Sequence, residues 1–125
     1  MQKKNSLVVV ALLVLLLLLV AGKSYLRQRD AMKIVRTVLT YWQNNDPIPA
    51  MSYWEKELDS PPIYNLSAYE IGEKHFDKNE GRYRAHIDVT LYFPDDHHFP
   101  SGKEWRFELI KTRYGWKIIG LQLQE

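Results

Sequence analysis

The alternation of hydrophobic and polar positions divides the chain into three stretches. Leu7 to Ala21 is an unbroken run of Leu, Val and Ala. From Tyr25 to Asn45, apolar residues recur every three or four positions, which predicts an amphipathic helix. A short second helix is predicted from about Pro49 to Leu58, with Met51, Trp54 and Leu58 on one side. Beyond Pro62 the period falls to two, which is typical of strands in an antiparallel sheet.

The first predicted hairpin joins Leu66 to Phe76 with the strand that starts near Arg82, through the turn Asp77 to Gly81. Burial of one face predicts the register, because a slip of one residue turns every side chain over. On that basis we expect Tyr69 opposite Val89 and Ile71 opposite Ile87.

The second predicted hairpin joins Lys103 to Thr112 with Trp116 to Gln124, across the loop Arg113-Tyr114-Gly115. Its expected pairs are Trp105 with Leu123, Phe107 with Leu121 and Leu109 with Ile119. Between the two hairpins, Asp88 is expected opposite Arg106, and His86 opposite Glu108.

The apolar run is long enough for a membrane anchor. Together with Ser6 and Gly22 it would form about 25 Å of helix, the lower limit for a span. A cleaved signal peptide is the alternative, but no Ala-x-Ala precedes Lys23. We expect a retained anchor in the cell (inner) membrane, with the lipid bilayer around Leu7 to Ala21. The following domain is expected on the extracytoplasmic side. A literal count of flanking Lys and Arg would instead place that domain in the cytoplasm.

Composition and charge exclude several classes of function. The chain is 46% apolar and 26% charged, as in globular proteins, and it lacks Cys, which excludes disulfides and thiolate metal sites. From Lys23 onward, fifteen basic side chains balance fifteen acidic ones. We therefore expect no nucleic-acid partner, since affinity for a phosphate backbone is largely electrostatic.

One membrane segment, a long helix, a short helix and a four-strand meander closing on Trp116-Lys117-Ile118-Ile119-Gly120-Leu121 resemble the nuclear transport factor two-like or cystatin-like α+β class. The resemblance covers about Tyr25 to Glu125 and implies helices packed on a four-stranded, curved antiparallel sheet. That class includes isomerases, dehydratases, pocket binders and membrane-anchored scaffold subunits. Its enzymes carry an Asp or His in the mouth of the cone, which has no clear match here, so the likeness supplies no activity.

Two polar groups are candidates for chemistry. Glu73 and His75 lie on the same side of the predicted strand as Tyr69, so we expect them at the mouth of the concave face. A carboxylate and an imidazole there could form an acid/base pair. Asp95-Asp96-His97-His98 carries zinc-competent side chains, but adjacent loop residues seldom converge on one ion. A solvated loop or a pH-responsive contact is the alternative. We predict no metal, no cofactor and no catalytic residue.

A candidate partner-binding patch is predicted on the outer face of the sheet. The expected register gathers apolar side chains there that solvent would not favour, and such clusters often mark an interface. The alternative is that a loop or the short helix covers them. The predicted patch comprises Trp116, Ile118, Ile110, Thr112 and Tyr92.

These observations predict residues 1–22 as a cytoplasmic tail and signal-anchor helix, and residues 23–125 as one α+β domain. The leading hypothesis is a non-enzymatic, single-pass accessory or scaffold subunit of an envelope complex, with a protein partner on its sheet face. The alternative is a pocket-type small-molecule binder, or a minor lyase or isomerase that uses Glu73 and His75.

Overall fold

The computed structural model describes residues 2–125, with side chains from Lys3 onward; Met1, the start of the predicted tail, lies outside the described residues. The chain divides into a helical unit that ends at Asp30 and a compact unit from Ala31 to Glu125. Within the described residues the fold is α+β, with one long helix, one short helix and a four-stranded antiparallel sheet.

The first helix, α1, runs from Gln2 to Gln43. In its N-terminal unit, the Leu and Val side chains from Leu7 to Val20 are 49–69% exposed. Among the described residues α1 is the one helix long and apolar enough to cross a membrane. Asn44-Asn45-Asp46-Pro47 follows its end, as predicted, because Pro cannot continue a helix.

The C-terminal part of α1 supplies the helical side of the core. Its buried side chains recur at helical spacing, and the Trp42 indole stacks on Phe107 with ring centroids 5.9 Å apart. A second tryptophan, Trp54, lies 5.8 Å from the same indole. The buried α1 residues are Ala31, Met32, Val35, Val38, Leu39 and Trp42.

The predicted second helix is wrong in length and in the face that it buries. Helix α2 covers only Pro47–Ala50, and two short 3-10 turns follow at Met51–Tyr53 and Glu57–Asp59. Trp54 adopts extended backbone and forms a parallel bridge with Ile118. This extended segment breaks the helix, so Leu58 is 91% exposed rather than packed beside Trp54.

The four strands are β1 (Ala68–Asn79), β2 (Arg82–Tyr92), β3 (Lys103–Thr112) and β4 (Gly115–Leu123). They lie in the order β1-β2-β3-β4, and each pairs antiparallel with its neighbour. The strand residues buried on the core side are Ala85, Ile87, Val89, Leu91, Trp105, Phe107, Leu109, Trp116 and Ile118.

The predicted register between β2 and β3 is confirmed, with Asp88 opposite Arg106 and His86 opposite Glu108. Between β1 and β2 the prediction is wrong by two residues, since Ile71 lies opposite Val89. The turn is tighter than predicted, since only Glu80 and Gly81 connect the strands, both with positive φ, of 52° and 79°. This turn moves the register by three residues, and a register shift between Ile71 and Lys74 takes one of them back. Such two-residue turns match the twist of paired strands.

Candidate functional site

An ion pair lies at the centre of the outer face of the sheet, the face opposite the core. The Arg106 guanidinium donates hydrogen bonds from Nε and a terminal nitrogen to the two carboxylate oxygens of Asp88, at 2.8 and 3.2 Å. The Asp88 side chain is 6% exposed and that of Arg106 is 37% exposed. Hydrogen bonding to Asp88, and then its charge, raise the pKa of Arg106 above its ordinary value.

The ion pair forms the floor of an open polar groove of about 430 Å³. The groove extends from β3 across β2 to the middle of β1. Its lining residues are Glu73, Lys74, His75, His86, Asp88 and Arg106.

A β-bulge in β1 turns Glu73 and His75 toward this groove. The register shifts between Ile71 and Lys74, so the side-chain parity of β1 reverses there. Gly72 lies beside the bulge, and a Cβ at this position would approach the Asp88 carbonyl oxygen to 3.3 Å.

The prediction that Glu73 and His75 lie at the mouth of the concave face is therefore wrong. His75 pairs with His86, on the face that carries Asp88, whereas Phe76 lies on the core side and its ring meets Trp116 edge to face at 6.4 Å. Gly72 was the one signal in the sequence, since an isolated Gly in a strand often marks a bulge.

The groove offers an exposed imidazole, His75, a half-buried imidazole, His86, and a carboxylate that is paired with a guanidinium. The His75 ring lies 6.4 Å from that of His86, and its Nε2 lies 3.7 Å from the Asp77 carboxylate. Asp88 is engaged by Arg106 and is no free base. Among the residues that the structure describes, no group of three or more His, Asp or Glu could hold a metal ion. The lining of the groove is charged and polar throughout.

The predicted apolar patch does not exist on the outer face. Trp116 and Ile118 are 4% and 0% exposed and belong to the core. The reason is a second register shift: Glu108 pairs with Gly120, but Leu109 pairs with Ile118, which leaves Ile119 as the extra residue. An extra residue in one strand turns over all side chains on one side of it.

The other three members of the predicted patch have three different environments. Ile110 is buried at 4% beside Arg84 and Lys117 in the ladder. The Thr112 hydroxyl donates to the Gly115 carbonyl at 2.8 Å, so it stabilises the β3–β4 turn. Tyr92, at 37% exposure, remains an accessible aromatic on β2.

The Asp95 to His98 loop is organised around His97. The backbone N–H of Phe99 donates to His97 Nδ1 at 3.0 Å, so Nε2 carries the proton and donates to the Tyr64 carbonyl at 2.8 Å. The imidazole also stacks on Phe93, with centroids 4.3 Å apart. These contacts make His97 a structural link between two loops and occupy both nitrogens that a metal would need.

No family model, characterised protein or solved structure matches this chain.

Proposed function

We propose that this protein is a single-pass, membrane-anchored accessory subunit of an envelope complex, without enzymatic activity of its own. Leu7 to Ala21 would hold it in the inner membrane, and the α+β domain would lie on the extracytoplasmic side. The polar outer face of the sheet, centred on Asp88 and Arg106, would contact a protein partner.

The observation that carries this proposal is the exposed apolar surface of α1. Every Leu and Val from Leu7 to Val20 is at least 49% exposed, whereas the unit that begins at Ala31 has its own buried core. Contiguous apolar surface on this scale is not stable in water and marks a membrane or protein contact. The run contains no polar side chain, so ion conduction through this segment is not part of the proposal.

Membrane fractionation tests the anchor. Leu15→Arg places a charge at the centre of the run and should cost about 2.5–3.5 kcal/mol of insertion, which moves protein into the soluble or degraded fraction. Leu58→Arg is the matched control, because Leu58 is 91% exposed and lies outside the run. Full membrane retention of Leu15→Arg would contradict a span formed by this segment alone.

Site-specific photo-crosslinking tests the partner face. A photoreactive amino acid at Tyr92, exposed on β2, should capture a discrete protein in intact membranes. The same amino acid at Leu58, outside the sheet, should not. Equal crosslinking at both positions, or none at either, would contradict a partner on the sheet face.

A small-molecule binder is the second candidate, and the groove supports it. Its volume of about 430 Å³ falls within the range of ligand pockets, about 300–1,000 Å³, and Glu73 and His75 both line it. A ligand screen by thermal shift, repeated with Glu73→Gln and His75→Gln, separates the two functions. A ligand whose stabilisation disappears in both variants would favour the binder over the accessory subunit.

A further inference from the structure

A second concavity, which we call the hairpin cleft, lies between the β3–β4 hairpin and the segment 52–57. Its volume is about 550 Å³. The charged side chains that line it come from four separate stretches of the chain. They are the cations Arg82, Lys111, Arg113 and Lys117, and the carboxylates Glu55 and Glu57.

Among the described residues, no cation of the hairpin cleft forms an ion pair with a carboxylate. The ion pairs His75–Asp77 and Asp88–Arg106 both lie outside this cleft. Lys117 donates to the Ser52 backbone carbonyl at 2.7 Å, which holds its position but leaves its charge uncompensated. Four cations and two carboxylates leave an excess of two positive charges.

Lys111 is the residue that distinguishes this cleft from an ordinary solvated surface. Along β3 the side chains of Trp105, Phe107 and Leu109 are buried on the core side, and Lys111 is the next residue of that series. It is half-buried opposite Trp116, with no carboxylate paired to it. Partial burial of an unpaired ammonium costs free energy, which an anion in the cleft would offset.

We propose that the hairpin cleft binds a phosphomonoester group. Such a group carries a charge of about −1.5 to −2 at pH 7, which balances the excess of two in the cleft. Arg side chains suit phosphate oxygens because their N–H groups form a planar fork. Lys111 adds a compact positive charge from the half-buried side of the cleft. The phosphoryl group could belong to a lipid headgroup or to a soluble metabolite, since both present the same oxygens.

Titration of the full-length chain in a neutral detergent tests the site, with binding followed by calorimetry and by the backbone amide resonances of Arg113 and Tyr114. The probes are inorganic phosphate, short-chain phosphatidic acid and short-chain phosphatidylcholine. We expect phosphatidic acid or inorganic phosphate to bind and shift both resonances, and phosphatidylcholine, a zwitterionic diester, to do neither. Binding of phosphatidic acid alone would identify a headgroup site, and equal binding of both would identify a soluble phosphoryl ligand.

Two substitutions and one control locate the binding. Lys111→Met keeps the buried aliphatic stem, and it should weaken binding about tenfold or more, as should Arg82→Gln. Lys103→Met makes the same change at the other end of β3 and should leave the affinity unchanged. Absence of binding by the wild-type chain, or equal loss in the Lys103 control, would overturn the proposal. Unchanged thermal melting of each variant excludes misfolding as the cause, and this site can fail without affecting the membrane anchor.

Discussion

Leu109 lies opposite Ile118 across the β3–β4 ladder, and Ile119 is the unpaired residue that follows. Because of this extra residue, even-numbered side chains of β4 face the core before Ile119, and odd-numbered side chains face it after Ile119. Leu121 and Leu123 pack against the core from one half, and Trp116 and Ile118 lie within it from the other. Ile118 is fully buried, whereas its neighbour Ile119 is 36% exposed.

This bulge predicts opposite consequences for two adjacent, chemically identical residues. Ile118→Ala should lower the free energy of unfolding by about 2–5 kcal/mol, because it leaves a cavity in the core. Ile119→Ala should change it by less than about 1 kcal/mol, as expected away from the core. Urea denaturation followed by tryptophan fluorescence measures both, since all four tryptophans lie after Asp30. A larger effect at Ile119 would contradict the bulge.

The two adjacent histidines of the β2–β3 loop should also behave differently. His97→Ala leaves the Phe99 N–H and the Tyr64 carbonyl without their partner and removes the stack on Phe93, so we expect a loss of about 1–3 kcal/mol. His98→Ala serves as the control, because the exposed His98 makes ring contacts but no hydrogen bond to the backbone is seen for it among the described residues. Equal destabilisation by both variants would contradict the structural role of His97.

The Asp88–Arg106 pair should show strong coupling in a double-mutant cycle. Arg106→Gln leaves the Asp88 carboxylate, 6% exposed, without its cation, so this variant should be destabilised. Adding Asp88→Asn should recover part of the loss, because the buried charge is then gone as well. Melting temperatures of the wild type, the two single variants and the double variant form the cycle. Additive effects would show that the pair is not coupled.

The absence of Cys makes the proposed membrane orientation directly measurable. A single Cys at Asp95, in an exposed loop, should react with a membrane-impermeant maleimide in intact cells. A single Cys at Asn5, before the apolar run, should react only after permeabilisation. The reverse pattern would place the domain in the cytoplasm, in agreement with the count of basic residues that flank the run.

Much of the fold follows from the sequence because it depends on local periodicity. The apolar run and the amphipathic spacing both predict helix, and they form the two parts of α1. The alternation from Arg82 onward predicts a strand, which is β2. The register of β2 with β3 was also predictable. Regular alternation in both strands leaves one arrangement that buries both apolar faces.

The candidate sites were decided by tertiary structure, at the two places where alternation is interrupted. A bulge places one extra residue in a strand, and the composition of that strand does not reveal it. The sequence therefore leaves open which face of the sheet the side chains beyond the bulge will take. The bulge near Gly72 moved Glu73 and His75 to the outer groove, and the one at Ile119 moved Trp116 and Ile118 into the core. The sequence by itself determined that four strands form and approximately where each one lies. The choice of face past each bulge was made by the packing of the whole core, because the free energy of burial depends on partners that are distant along the chain.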